Sequence, residues 1–120
     1  MDLSAIREEV EREIASYVYA VPAGAVGRPA SDAWVEAQLA EMSASLVQPI
    51  WRFIAIRDTF QQLTAQSEPE VRQCVLVADD RKGNELYYDP VENGYVLAHS
   101  GEPPATFNVR GDAVGCFMAR

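Results

Sequence analysis

The 120-residue chain carries 18 Asp and Glu residues against 10 Lys and Arg residues, a net charge of −8. Such a charge repels phosphate backbones and anionic lipids, so we expect neither nucleic acid nor membrane as a partner. With 48% hydrophobic and 23% charged residues, the composition indicates one folded domain over residues 1–120, neither disordered nor fibrous.

Cysteine usage and the lack of targeting signals favour a cytoplasmic protein. The chain starts without a basic segment followed by an apolar one, and no apolar run approaches the ~20 residues that span a bilayer. Cys74 and Cys116 both lie among apolar neighbours. We therefore expect two buried thiols and no structural disulfide.

Two helices are predicted in the first third of the chain. The first has an apolar stripe at spacings of three and four: Leu3, Ile6, Val10, Ile14, Tyr17 and Val21. Pro22 ends it, and residues 23–29 form a loop. Ser31 or Asp32 offers the second N-cap, followed by a stripe of Val35, Leu39, Met42 and Leu46. Trp34 is expected in the core, with an interface position as the alternative.

Residues 50–57 fit either a strand or a helix. Their β-branched and aromatic side chains favour a strand, whereas the apolar spacing through Leu63 also matches a helical period. Asp58 followed three residues later by Gln61 resembles a capping box, which predicts a new helix start at Asp58. We therefore predict that 50–57 is a strand.

From residue 70 onward the pattern predicts an antiparallel meander. Strands are expected at 71–78, 85–89, 95–99 and 106–109, with a hairpin turn at Asn93-Gly94. Asp112 then caps a short helix that carries Val114, Phe117 and Met118. The predicted fold class is α+β, with two N-terminal helices packed on an antiparallel sheet of four to five strands and a short C-terminal helix.

Recognisable catalytic and metal-binding patterns are missing from the sequence. His99 is the only histidine, and no nucleophile stands in a turn built to expose it. Neither CxxC nor HxxxH occurs, and no glycine-rich phosphate loop follows a strand. We therefore predict no catalytic residue, no metal and no cofactor.

One face of the predicted hairpin has the composition of a binding site. Glu85, Tyr87 and Asp89 point one way on their strand if Leu86 and Tyr88 face the core. Depending on register, the next strand adds Tyr95, Leu97 and His99, or Val96 and Ala98, to this face. Tyrosine among acids suits a basic protein partner, so the predicted partner-binding residues are Glu85, Tyr87, Asp89 and Tyr95. The alternative is that Tyr87 only stacks on a cross-strand neighbour.

The segment 80–97, DRKGNELYYDPVENGYVL, resembles the SMI1/KNR4-like (SUKH) proteins. These share a glycine and a polar residue before a strand, an Asp that closes it and a tight turn into a second strand. Many members are bacterial immunity proteins that neutralise toxins. The resemblance implies a binding role, and it carries over no catalytic residue.

Three functions compete at this point. The first is a small acidic binding protein, an immunity or adaptor protein that occludes a basic partner. The second is a structural subunit of a homo-oligomer with Trp34 or Trp51 at the interface. The third is a small-molecule-binding or enzyme subunit with an unrecognised carboxylate site. The missing metal and nucleophile patterns favour the first over the third.

Overall fold

The computed structural model describes residues 2–18, 31–64 and 70–120. The elements in these ranges are α1 (Leu3–Ser16), α2 (Asp32–Ser45), β1 (Leu46–Ile56), α3 (Phe60–Leu63), β2 (Glu70–Asp79), β3 (Asn84–Asp89), β4 (Gly94–His99), β5 (Ala105–Gly111) and α4 (Ala113–Met118). The α+β prediction, with N-terminal helices, an antiparallel sheet and a short C-terminal helix, is therefore confirmed.

The helices begin at side-chain caps that the sequence largely specifies. Ser31 caps α2, with its hydroxyl accepting a hydrogen bond from the Trp34 N–H at 3.1 Å. Asp112 caps α4 by accepting from the Gly115 N–H at 2.7 Å, as predicted. The predicted end of the first helix at Pro22 and the loop at 23–29 lie outside the described residues.

Strand β1 settles the ambiguity at 50–57 in favour of the predicted strand. It begins earlier than predicted, so Leu46 belongs to β1 and not to the second helix. The helix that follows starts one residue later than predicted, because Thr59 is its N-cap. Thr59 and Gln62 form a reciprocal capping box, with the Thr59 hydroxyl accepting from the Gln62 N–H at 3.2 Å. Asp58 is thus released from capping, and its carboxylate serves elsewhere.

The five strands form one sheet in chain order, and each is antiparallel to the next. A parallel contact between β1 and β5 closes the sheet into a barrel, through the single residue pair Ala55 and Ala105. At the hairpin turn Asn93 adopts a positive φ of 51°, while Gly94 begins β4 opposite Asp89. The predicted position of the hairpin is therefore confirmed.

The sheet buries both faces of its central strands. Residues pointing inward form an interior core: Ile54, Ile56, Cys74, Leu76, Tyr87, Val96 and Ala98. Residues pointing outward meet α1, α2 and α4 in a helix-side core: Ile6, Val10, Met42, Val75, Val77, Ala78, Leu86, Tyr95, Leu97, Ala113, Val114, Cys116 and Phe117. The central strands therefore have no solvated side, unlike a sheet with one covered face.

Trp34 does not lie in the core as predicted, since 42% of its surface is exposed. The buried face of α2 is centred on Val35 and Met42, which lie seven residues apart. Successive helical positions differ by about 100° around the axis, so Trp34 is turned away from that face. Its indole therefore faces solvent beside the core.

Both cysteines are buried free thiols, as predicted, one in each core. Burial raises the pKa of Cys74 to about 12 and that of Cys116 to about 12. Because the thiolate is the reactive form, we expect negligible modification of the native protein by a thiol reagent at pH 8 and full modification in denaturant. A Val91→Cys variant, exposed on the β3–β4 turn, supplies a fast-reacting control. Rapid labelling of either native thiol would contradict this prediction.

Candidate functional site

The predicted binding face of the hairpin points into the barrel instead of into solvent. In the observed register Tyr87 lies opposite Val96 and Glu85 opposite Ala98. Glu85, Tyr87 and Asp89 are all buried, with Tyr87 and Asp89 at 0% exposure. The expectation that these three side chains form a solvated strand face is therefore wrong. The physical reason is the closure of the sheet, which turns this face inward.

Glu85 and Tyr87 satisfy one another inside the barrel. The Tyr87 hydroxyl donates to Glu85 Oε1 at 2.6 Å, and Arg52 Nη1 lies 3.6 Å from Glu85 Oε2. Burial, followed by the hydrogen bond to Glu85, raises the pKa of Tyr87. This arrangement holds a neutral phenol and a paired carboxylate in the interior. Both side chains therefore stabilise the folded barrel and are not part of a surface binding site.

Tyr95, the fourth predicted residue, lies on the opposite face of the sheet. It is buried in the helix-side core, and its hydroxyl donates to Glu9 Oε1 of α1 at 3.1 Å. Its ring meets Tyr88 edge-on, with centroids 5.4 Å apart. Tyr95 is therefore not grouped with the other three predicted residues, and it joins the sheet to α1.

Asp89 marks one end of the barrel, where four charged side chains converge. Two guanidinium groups reach its carboxylate: Arg72 from β2, and Arg110 from β5 with Nη1 at 3.0 Å. Arg110 Nε also donates to Asp58 Oδ2 at 2.6 Å. We call Asp58, Arg72, Asp89 and Arg110 the mouth network. It joins β2, β3 and β5 to the segment that follows β1.

Asp58 is positioned by a distortion in β5. The register between β4 and β5 shifts between Val96 and Ala98, and Asn108 within the bulge has a positive φ of 66°. The bulge directs the Asn108 N–H to Asp58 Oδ1 at 2.7 Å, and the Thr106 hydroxyl donates to the same oxygen at 2.8 Å. Bulges often re-aim groups in this way beside functional sites.

The network controls the ionisation of Asp89. Burial by itself raises the pKa of Asp89, but hydrogen bonds from Arg110 and Arg72 and the charge of Arg72 outweigh it, so the pKa is lowered. The carboxylate is therefore charged at neutral pH although it is fully buried. Loss of either guanidinium group would remove one of the two cations that compensate this buried charge.

A cavity of about 320 Å³ lies above the network. Its lining residues are Ile56, Asp58, Thr59, Gln62, Glu70, Arg72, Glu92 and Arg110. Arg72 Nη2 contacts Glu70 Oε2 at 2.8 Å, while Glu92 Oε1 is 4.0 Å from Arg72 Nη1. The carboxylates here outnumber the two arginines, because Asp58, Glu70, Asp89 and Glu92 all lie at this end. We call this space the mouth cavity.

Among the described residues, neither the histidine nor either thiol lies at the mouth cavity. His99 is the exposed last residue of β4, and its ring stacks on that of Phe107 with the ring centroids 4.0 Å apart. Both thiols are buried in the cores. Across residues 2–18, 31–64 and 70–120, no three His, Cys, Asp or Glu side chains are placed to hold a metal ion. The arrangement is suited to binding a cationic group.

Comparison with known proteins adds nothing to this geometry: no family model, curated protein or solved structure matches the chain. The resemblance to SUKH proteins thus rests on the hairpin motif alone. In the described ranges, no helix combines the length and apolar character needed to cross a bilayer.

Sequence reasoning found Asp89 but missed its partners. Arg72 is a charged residue within an otherwise increasingly apolar strand, and Arg110 precedes a glycine at a strand end. Each had a signal, since a charge placed among apolar strand residues requires an opposite charge nearby. The pattern does not say which acid supplies it, because Asp89 is 17 residues from Arg72 and 21 residues from Arg110 in the sequence.

Removing the central carboxylate should cost much of the stability. We expect Asp89→Ala to lower the free energy of unfolding by about 3–5 kcal/mol, because Arg72 and Arg110 lose their shared partner in a partly buried site. The exposed Glu92→Ala change at the same end should cost less than about 0.5 kcal/mol. Denaturant titration of both variants measures the difference. Equal stabilities would show that the mouth network contributes little.

Acid should destabilise the protein through the same group. Because the pKa of folded Asp89 lies below its ordinary 3.8, its contribution is fully present above that value and lost as pH falls through the folded pKa. The gap in melting temperature between wild type and Asp89→Asn should therefore be constant from pH 7 to about pH 5 and narrow below about pH 4. A gap that widens on acidification would contradict the sign of this shift.

Proposed function

We propose that the protein is a non-catalytic binding protein that engages a basic protein partner through the mouth cavity. The observation that carries this proposal is the distribution of charge between surface and interior. Exposed acids in the described ranges are Asp2, Glu8, Glu9, Glu11, Asp32, Glu36, Glu70, Glu92, Glu102 and Asp112. The exposed bases there are Arg12, Arg81 and Lys82.

This imbalance arises because the fold uses its arginines internally. Arg72 and Arg110 bind Asp89, and Arg120 contacts Asp80 Oδ2 and Glu41 Oε2, each at 2.9 Å. An arginine that pairs with a buried carboxylate cannot also pair with an exposed carboxylate on the surface. The exposed charges in the described ranges are therefore mostly acidic, which favours rapid association with a basic partner.

The mouth cavity is one of the places where exposed acids line a concave site, and a second lies beside Asp32 and Glu36 of α2. A lysine or arginine side chain of the partner would enter between Glu70 and Glu92, whose side chains are 52% and 59% exposed. Arg72 is already engaged by Asp89 and Glu70, which limits its repulsion of an incoming cation. Glu92 is the least engaged carboxylate, since its nearest guanidinium nitrogen is 4.0 Å away.

A binding role also agrees with the state of the interior. Within the part of the chain that the structure describes, every buried side-chain nitrogen and oxygen has a hydrogen-bond partner. Catalytic groups with perturbed pKa values commonly face a cleft, whereas Tyr87 and Asp89 are fully buried, with Tyr87 bonded to Glu85 and Asp89 paired with two arginines. The SUKH resemblance supports the same role as an immunity protein, and the two free thiols support a cytoplasmic location.

The binding site is tested with a defined cationic probe. We expect a short Lys/Arg peptide to shift the amide resonances of Asp58, Glu70 and Glu92 at low salt, and to bind more weakly as salt is raised. A Glu70→Lys/Glu92→Lys variant should lose this binding. A Glu8→Lys/Glu36→Lys variant changes the net charge equally but lies on the helices, so it should retain most of it.

The two variants distinguish the possible outcomes. Loss of binding in the helix variant alone would place the partner on α1 and α2 and contradict the mouth site. An acidic peptide of equal length that binds equally well would contradict electrostatic recognition altogether. The immunity role is tested by coexpression with the product of the adjacent gene: a toxin that the wild type neutralises and the Glu70→Lys/Glu92→Lys variant does not would support it.

A further inference from the structure

Among the residues that the structure describes, none pairs with one edge of strand β1 over much of its length. On its other edge β1 pairs with β2 from Ile50 through Ile56 in continuous register. On this edge the described chain provides the single pair between Ala55 and Ala105, where the Ala55 N–H donates to the Pro104 carbonyl at 2.8 Å. Strand residues direct their backbone groups alternately to the two edges. The N–H and C=O groups of Trp51 and Phe53 therefore point to the open edge, as those of Ala55 do.

The same two residues present an exposed aromatic surface. Trp51 is 39% exposed and Phe53 is 64% exposed, on the face of β1 opposite to the interior residue Ile54. Ile50 is also exposed, on the other face of the strand. Natural sheets usually protect such an edge with lysine, with proline or by covering it, because a bare apolar edge promotes aggregation. Here the stretch from Ile50 to Ile54 has only Arg52 as a charged residue.

The charged residues near this edge indicate which kind of partner would pair with it. No acid occurs between Glu41 and Asp58, although the chain as a whole carries a net charge of −8. A basic partner would gain nothing here, where the charged side chains are Arg52 and Arg57. Two copies of this acidic chain, by contrast, repel one another least where they meet through a segment that lacks acids. The edge is therefore suited to a second copy.

We propose that two copies of the chain pair through the open edges of β1, antiparallel and about a two-fold axis at Arg52. In this register Trp51 of each copy lies opposite Phe53 of the other copy. The backbone groups of these two symmetry-related pairs form the hydrogen bonds between the chains. Cross-strand aromatic pairs stabilise sheets. The interface is closed because both copies contribute the same edge, so no unpaired edge remains for a third copy.

Features at both ends of the pairing select this register. Moving the axis to Trp51 would place Phe53 opposite Pro49, which lacks an N–H to donate. Moving it to Phe53 would place Trp51 opposite Ala55, whose N–H is already bonded to Pro104. With the axis at Arg52, the two Arg52 side chains are neighbours, but each has Glu85 of its own chain at 3.6 Å to compensate its charge.

The mass and the edge chemistry test this pairing together. Light scattering should give twice the 13.2 kDa chain mass for the wild type at tens of micromolar. Phe53→Lys should give the monomer mass with a native circular-dichroism spectrum, because Phe53 is exposed in the single chain. The control Phe60→Lys adds the same charge at an exposed site on α3 and should remain dimeric. A monomeric wild type, or a dimer that survives Phe53→Lys, would overturn the proposal.

Two further measurements identify the register. Mild oxidation should cross-link Arg52→Cys between copies in a Cys74→Ala background, which removes the thiol opposite position 52 in the same chain, because residues at a non-hydrogen-bonded antiparallel pair have Cα atoms about 4.5 Å apart. Val91→Cys on the β3–β4 turn should not cross-link at the same protein concentration.

In the wild type, the amide hydrogens of Trp51 and Phe53 should exchange slowly with solvent, and their exchange should become at least tenfold faster in Phe53→Lys. The Arg52 amide, which faces β2, should stay protected in both. Fast exchange at Trp51 in a wild-type dimer would place the interface elsewhere and overturn the pairing.

Discussion

The fold depends on how the first and last strands of its sheet are held together. A barrel closed by continuous pairing would be held by backbone hydrogen bonds, but here β1 and β5 share one residue pair. Side chains provide the remaining connections: the Arg57 N–H donates to the Thr106 hydroxyl at 2.8 Å, and Arg110 joins Asp58 to Asp89. Removing one member of a buried ionic network costs far more than the network contributes overall, so this closure depends on all of its members being present together.

This closure explains why polar residues occupy the interior. Tyr87 and Asp89 alternate with Leu86 and Tyr88 on β3, a pattern that normally indicates one core face and one solvated face. In a barrel whose outside is covered by helices, both faces are enclosed. The inward polar groups are then tolerated because each has a partner, as in the Tyr87–Glu85 hydrogen bond at 2.6 Å.

The internal use of arginine also links the fold to the proposed functions. Since the arginines that reach Asp89 and Asp80 are committed to the interior, the surface retains its acids, and the mouth cavity combines them with a concave shape. The β1 edge is the counterpart of this acidic end, since it has aromatic side chains and no acids. The two proposed contacts use different chemistry, so a basic partner and a second copy of the chain would not compete for one surface.

Local sequence signals were sufficient for the elements of this protein. Ser31 and Asp112 cap their helices by hydrogen bonds to residues three positions away, and Asn93 accepts the positive φ of its turn. These interactions extend over a few residues, so the residues that cause them are adjacent in the sequence. The strand at 50–57 and the α+β class followed from the same kind of signal.

Tertiary structure alone decided that the hairpin face turns inward, that Asp58 pairs with Arg110 instead of capping a helix, and that Trp34 stays exposed. Each of these outcomes depends on barrel closure and helix packing, which bring together residues such as Asp58 and Arg110, 52 positions apart, and Glu9 and Tyr95, 86 positions apart, and leave no local pattern in the chain.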